Sequence, residues 1–181
     1  MQIAEVIDFL ETDRLSATFS PQGLKYLSSR NDDGELTIDL KYYQKDSPSS
    51  NPGADLLVSE TIKFLETGKH DMKLDLTEFT LFQQSVFNEV SKVSRGNICT
   101  YKDLAVRLGK PGAAQAVGNA VSKNPVSYFI PTHRVLPQKG LIICRSGAGF
   151  LREKLLQHEG HDMAKISSNI ICKKKKCTMG H

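Results

Sequence analysis

Cysteine is scarce in this chain and absent from its first 98 residues; the four present are Cys99, Cys144, Cys172 and Cys177. So few thiols, so unevenly placed, exclude a disulfide framework and point to free thiols in a reducing compartment. Long apolar runs are missing too, which excludes a bilayer-spanning helix. Met1 to Leu10 carries Glu5 and Asp8 where a signal peptide would be basic and then apolar. The expectation is a soluble intracellular protein with no membrane partner, no metal and no cofactor. Acidic residues run short only in part of the chain. Residues 1–79 carry 8 Lys/Arg against 15 Asp/Glu, residues 80–159 carry 11 against 4, and residues 160–181 carry 5 against 1. The net charge of +4 therefore hides an acidic first half and a basic second half, and a polyanion would bind the latter.

What is present suits one good core or two small ones, since 39% of the 181 residues are hydrophobic. The division expected is 1–79, an acidic α/β domain; 80–160, a mostly helical domain; and 161–181, a basic, poorly ordered tail. In the first, Leu15 to Phe19 and Leu36 to Tyr43 read as strands and Asp55 to Thr67 as a helix, with turns at Gly23, Asn31 to Gly34 and Ser47 to Gly53. This half carries no recognisable chemistry and reads as scaffold.

From Thr80 the pattern sharpens. Thr80 is a fitting N-cap, and Phe82, Val86, Val90 and Val93 keep helical spacing until Gly96. Thr100-Tyr101-Lys102-Asp103 is a second capping signal for a helix to about Leu108. After the break Gly109-Lys110-Pro111-Gly112 comes Ala113 to Ser122, a helix with almost no bulky side chain. Helix, tight turn and small-faced helix in a basic segment outline a helix-turn-helix, whose second helix can enter a DNA groove. Two core helices joined by a turn would leave the same trace. Phe150 to His158 reads as a last amphipathic helix with Gly160 as its C-cap. Beyond it, Lys173 to Lys176 suit a solvated tail, and Cys172, Cys177 and His181 lack zinc spacing.

One stretch organises the chain: Asn124 to Leu136, Asn-Pro-Val-Ser-Tyr-Phe-Ile-Pro-Thr-His-Arg-Val-Leu. A strand-like run from Val126 to Ile130 lies between two prolines and delivers Thr132, His133 and Arg134. Asn-Pro, an apolar run and then Ile-Pro-x-His-Arg-Val resembles the active-site signature of the O6-alkylguanine-DNA alkyltransferases, in which x is the cysteine that takes the alkyl group. Here x is Thr132.

The resemblance covers Thr80 to Gly160 and implies an α/β (α+β) N-terminal domain followed by a winged helix-turn-helix-like domain that binds DNA. Phe82-Gln83 opens the domain as in the family. Tyr101 falls where the family has the tyrosine that helps push a damaged nucleotide from the duplex. Ala113 to Ala120 falls on the recognition helix, with Ala113, Ala114, Gln115 and Gly118 toward DNA, and Lys110, Lys123 and Arg134 are expected at the DNA as well. Asn124 matches the hinge asparagine, His133 the histidine beside the acceptor, and Glu159 the glutamate paired with it. Val135, Ile143, Arg145 and Ser146 are expected around the alkyl pocket, with Gly147 in the same loop. Some family members bind zinc in the N-terminal domain, but this chain has no thiol there to do so.

The departures cluster. A threonine hydroxyl is far less acidic than a thiol, and its alkoxide is a hard, solvated nucleophile, so alkyl transfer to Thr132 is not expected. Gln115 replaces an arginine that enters the base stack, Ile143 a usual glycine, and Arg145 a pocket tyrosine. Cys144 is the one thiol in the pocket loop and reads as inert. The resemblance therefore implies a monomeric protein that binds O6-alkylguanine in double-stranded DNA without accepting the alkyl group, and either shields the lesion or hands it to other repair proteins. It would act in the nucleus of a eukaryote, otherwise in the cytoplasm. The alternatives are an alkyltransferase whose reactive cysteine has been substituted at Thr132 or displaced to Cys144, and a degenerate member serving protein interaction.

Overall fold

The computed structural model of the chain describes residues 14–28, 36–39, 52–126, 128–138 and 148–167. Strand β1 (Arg14–Ser20) pairs antiparallel with β2 (Gly23–Ser28) and β3 (Leu36–Asp39), in the order β2-β1-β3. The Pro21-Gln22 turn is tightened by the Ser20 hydroxyl, which accepts from the Gln22 N–H at 3.1 Å. Gly23 follows with φ +148°, and a Cβ there would lie 2.4 Å from the Lys73 carbonyl oxygen, so only glycine fits. That close approach matters because β2 is an edge strand. Its exposed edge is covered by two parallel bridges, Leu24 to Leu74 and Leu27 to Val126, with the Leu27 N–H on the Pro125 carbonyl at 2.9 Å. The sheet is thereby tied directly to the Asn124–Leu136 stretch. The expected strand to Tyr43 is described only as β3; residues 40–43 and the turns at 31–34 and 47–51 lie outside the described residues.

Helix α1 (Pro52–Thr67) starts with proline at its first position, where the missing N–H costs nothing, and buries Leu57, Val58, Phe64 and Leu65. Helix α2 (Leu81–Ser91) is capped as the sequence indicates: Thr80 accepts from the Gln83 N–H and the Gln83 side chain accepts from the Thr80 N–H. It ends at Ser91, short of the expected Gly96, which instead takes φ +77° in the following turn. Strand β4 (Cys99–Thr100) leads into α3 (Tyr101–Arg107), where Thr100 and Asp103 form the second capping box. Gly109, at φ +68°, closes α3: its N–H reaches Val106 O at 2.9 Å and the Lys110 N–H reaches Ala105 O at 2.8 Å. Helix α4 (Ala114–Val121) packs on α3, and α2 packs on both.

The run Val126 to Ile130 is not a strand. Val126 forms only the isolated bridge to Leu27, Tyr128 takes φ +74°, and the chain turns through 128–130. Val126, Tyr128, Phe129 and Ile130 are all buried, so burial on every side rather than one-sided pairing explains the apolar run. A 3-10 turn, Thr132–Arg134, follows, and then β5 (Val135–Leu136), which pairs in parallel with β4. Helix α5 (Ala148–His158) packs on the 3-10 turn and ends at Gly160, φ +91°, where the Gly160 and His161 N–H groups bond to the carbonyls of Gln157 and Leu156. The chain does not fray at His161 as expected: α6 (Met163–Ser167) packs on α5, and Met163 is buried with Leu136 and Leu156. Residues 168–181, including the lysine run, lie outside the described residues.

The main core is continuous. It runs from Leu15 and Leu24 through Leu57 and Phe64 to Phe87, Leu104, Val117 and Leu155. Each such side chain, fully buried, contributes about 1.5–3 kcal/mol. No helix among the described residues is long and apolar enough to cross a membrane.

Candidate nucleic-acid interface and reactive turn

Asn124 builds the turn that carries Thr132. Its Oδ1 accepts from the Val126 N–H at 3.1 Å, and its Nδ2 donates to the Ile130 carbonyl at 3.1 Å and to Thr132 Oγ1 at 3.5 Å. One carboxamide thus spans the loop and fixes both the backbone before Thr132 and its hydroxyl. His70, from the segment after α1, grips the same turn from the other side. Its Nε2 donates to the Phe129 carbonyl at 3.0 Å and its ring lies 4.7 Å from that of Phe129. Burial pushes the His70 pKa down, against the hydrogen bond to Phe129, which raises it.

Beside Thr132, His133 and Arg134 both turn inward onto Glu159. His133 Nε2 lies 2.8 Å from Glu159 Oε1. A carboxylate only accepts, so Nε2 carries the proton and the tautomer is fixed. Burial lowers the His133 pKa, outweighing the Glu159 contact that raises it, so the ring is neutral near pH 7. Arg134 Nε lies 3.0 and 3.1 Å from the two Glu159 oxygens and its Nη2 lies 2.8 Å from Oε1. Its Nη1 donates to the Val93 carbonyl at 2.6 Å, and the guanidinium sits 5.5 Å above the Phe64 ring. Burial alone would raise the Glu159 pKa, but the hydrogen bonds and charges of His133 and Arg134 overcome it and hold it down to about 2.

Arg134 is therefore not a DNA contact as expected. It is 1% exposed and joins the ends of α1, α2 and α5 from within. Gly68 makes room for it: at φ +71°, a Cβ there would lie 2.7 Å from Arg95 Cβ and 3.0 Å from Arg134 Nη2. Arg95 donates to the His158 carbonyl at 3.0 Å, and the His158 ring donates to the Leu65 carbonyl at 2.9 Å. Gly68, His70, Phe64 and Arg95 were all missed as site residues. The first three belong to the half read as scaffold, and the only sequence signal was a glycine directly after a predicted helix.

The expected DNA face is laid out on α3 and α4. Lys102, Arg107, Lys110 and Lys123 are exposed. Tyr101 is half-buried, and its ring covers Gly118, whose Cβ would sit 3.7 Å from it in ordinary contact. Gly118 therefore faces the Tyr101 ring. Ala113 and Ala114 are half-buried, Gln115, Ala116 and Asn119 are exposed, and Val117, Ala120 and Val121 face the core. Val135 is fully buried in β5. Ile143, Cys144, Arg145, Ser146 and Gly147 lie outside the described residues. Among the described residues, no group of three or more His, Cys, Asp or Glu could hold a metal ion.

Residues 81–161 match the family described as 6-O-methylguanine DNA methyltransferase, DNA binding domain. The methylated-DNA–protein-cysteine methyltransferase of Salmonella typhimurium is 40% identical over 82 residues, 45% of this chain and 48% of that protein. The Homo sapiens protein of the same name is 40% identical over 91 residues, 47% of this chain and 44% of that one. The matched stretch thus spans about half the length of these curated relatives. Among solved structures, a variant O6-methylguanine methyltransferase of Mycobacterium tuberculosis superposes with a TM-score of 0.57 at 26% identity, covering 80% of this chain and 92% of that one. The Mycobacterium tuberculosis OGT in complex with DNA gives 0.56 at 27% identity, covering 80% and 85%.

Proposed function

We propose that this chain, whose residues 81–161 match the 6-O-methylguanine DNA methyltransferase, DNA binding domain, binds O6-alkylguanine in duplex DNA and holds the lesion without accepting its alkyl group. The observation that carries this reading is Thr132. It stands where the resemblance puts the acceptor, at the start of the 3-10 turn, with its hydroxyl 3.5 Å from Asn124 Nδ2 and followed by His133, which pairs with Glu159. A neutral imidazole next to a thiol makes a thiolate, a soft nucleophile suited to an alkyl carbon. The same imidazole next to an alcohol faces an acid several units weaker, and alkyl transfer stalls. Binding asks less of the site: cations to meet phosphates, a helix to meet the groove, and a turn that receives the displaced base. The exposed Lys102, Arg107, Lys110 and Lys123, helix α4 and the Asn124-braced turn support each of these in order.

The test is binding of the purified protein to a short duplex with one O6-methylguanine against the undamaged duplex, followed by intact mass. Tighter binding to the lesion with no added methyl mass is the expected result. Equal binding to both duplexes refutes lesion recognition. A methyl adduct mapped to Cys144 or any other residue makes the protein a transferase with a relocated nucleophile.

A further inference from the structure

Helix α4 carries no charged residue, yet exposed cations bracket it: Arg107 and Lys110 before it and Lys123 after it. Phosphate attraction therefore falls on the flanks, and what the helix itself presents must be read by hydrogen bonding or shape. Its buried face is Val117, Ala120 and Val121; its exposed face carries two polar side chains, Gln115 and Asn119. They are four residues apart, hence on the same face and about 6 Å apart along the axis, close to two base-pair steps of about 3.4 Å each. Neither side-chain amide bonds to another described residue, in contrast to Asn124 and Gln83, whose amides are used within the fold. Ala116, beside them, leaves no bulk to hold the helix away from a surface.

A carboxamide offers one acceptor and two donors side by side, and its match is a purine edge with a donor next to an acceptor. Guanine has that pair on its minor-groove edge, where the 2-amino group donates, and adenine on its major-groove edge, at N7 and the 6-amino group. We propose that Gln115 and Asn119 read such purine edges in base pairs within two steps of the lesion, so that affinity depends on the neighbouring sequence and not on the lesion alone. This rests on the DNA-binding reading above and adds specificity to it.

Duplexes with one O6-methylguanine are compared in which a neighbouring guanine is replaced by inosine, which lacks only the 2-amino group, or a neighbouring adenine by 7-deaza-adenine, which lacks only N7. In one of these two arms the wild type is expected to lose affinity at least about five-fold, the lower end of what a bidentate amide contact discriminates. Asn119→Ala or Gln115→Ala is expected to abolish that difference; both sites are exposed on a helix, where alanine favours folding. The responsive arm identifies the groove. Lesion-selective binding that ignores both replacements overturns this inference and leaves lesion recognition standing. A response that both alanine variants retain also overturns it. Absence of lesion selectivity in the unmodified duplex instead refutes the reading on which it rests.

Discussion

Replacing Glu159 by glutamine removes one negative charge and almost no volume, and its consequences can be worked out from the geometry. The glutamine side chain would keep a carbonyl oxygen for His133 Nε2, so the loss reports chiefly on Arg134, whose guanidinium is 1% exposed and has its only carboxylate among the described residues at Glu159. Leaving a buried cation without its anion costs about 3–5 kcal/mol. The carboxylate's own titration gives a similar figure. With a pKa of about 2 when folded and about 4.5 when unfolded, and a side chain 4% exposed, the linkage is about 3 kcal/mol. The folded pKa is the lower one, so this stability is present above about pH 4.5 and is lost as pH falls toward 2. Urea unfolding at pH 7 should therefore show Glu159→Gln with a midpoint lower by roughly 1–3 M. The gap should narrow as pH falls from about 4.5 toward 2, because the unfolded wild-type carboxylate takes up its proton there while the folded one, with a pKa of about 2, holds out to the end of that range. Burial lowers the His133 pKa as well, so wild type and variant alike should begin losing stability below about pH 6.5. A variant as stable as wild type at pH 7, or a gap that stays constant between about pH 7 and pH 3, would falsify the assignment of Arg134 as a buried structural cation.

Other residues give sharper single tests. Gly68→Ala places a Cβ 2.7 Å from Arg95 Cβ at φ +71° and should cost about 1–3 kcal/mol, read as a lower melting temperature; an unchanged one would show that the Gly68–Arg134 contact is not tight. Asn124→Ala orphans the Val126 N–H and leaves the Ile130 carbonyl with the Thr132 N–H alone, so about 1–3 kcal/mol of stability should go, together with preference for lesion-bearing over undamaged DNA. Loss of stability with that preference intact would mean that the turn does not receive the base. Thr132→Cys should acquire one methyl group from O6-methylguanine DNA, detected by intact mass and mapped to position 132. No adduct despite lesion binding would mean that the lesion does not reach the turn. Replacing Lys110 and Lys123 by alanine should weaken binding to all duplexes alike and flatten the dependence of affinity on salt; an unchanged slope would take them off the phosphates.

The parts of this molecule legible in its sequence are those decided within a few residues. Thr80 with Gln83, and Thr100 with Asp103, satisfy helix-end N–H groups locally, and Gly109 and Gly160 permit the left-handed closures that end α3 and α5. The run Val126 to Ile130 misled because a segment buried on all sides loses the periodicity that separates strand from turn. The tail misled at 163–167, where a few apolar side chains sufficed once Leu136 and Leu156 were there to receive Met163. Arg134 was misread for a different reason. An arginine in a basic segment reads as a cation for phosphate, and nothing in its immediate sequence announces that Val93, Phe64 and Glu159, from three separate parts of the chain, converge on it.

That convergence changes what the His133–Glu159 pair signifies. Beside Thr132, an intact pair invites the conclusion that proton-transfer machinery is still in use. Yet Glu159 is held as an anion by Arg134 through three contacts of 2.8 to 3.1 Å, against one from His133, and the same carboxylate accepts from the Gly96 N–H at 3.3 Å. Its place at the end of α5 is therefore required by the packing of α1, α2 and α5 whatever stands at position 132. A carboxylate with that duty is needed whether or not the chain transfers an alkyl group, and so the pair is no evidence for transfer. The residue outside the knot is Thr132, half-buried and tied to the fold through Asn124, and the proposal of binding without transfer rests on its hydroxyl and not on the His133–Glu159 pair.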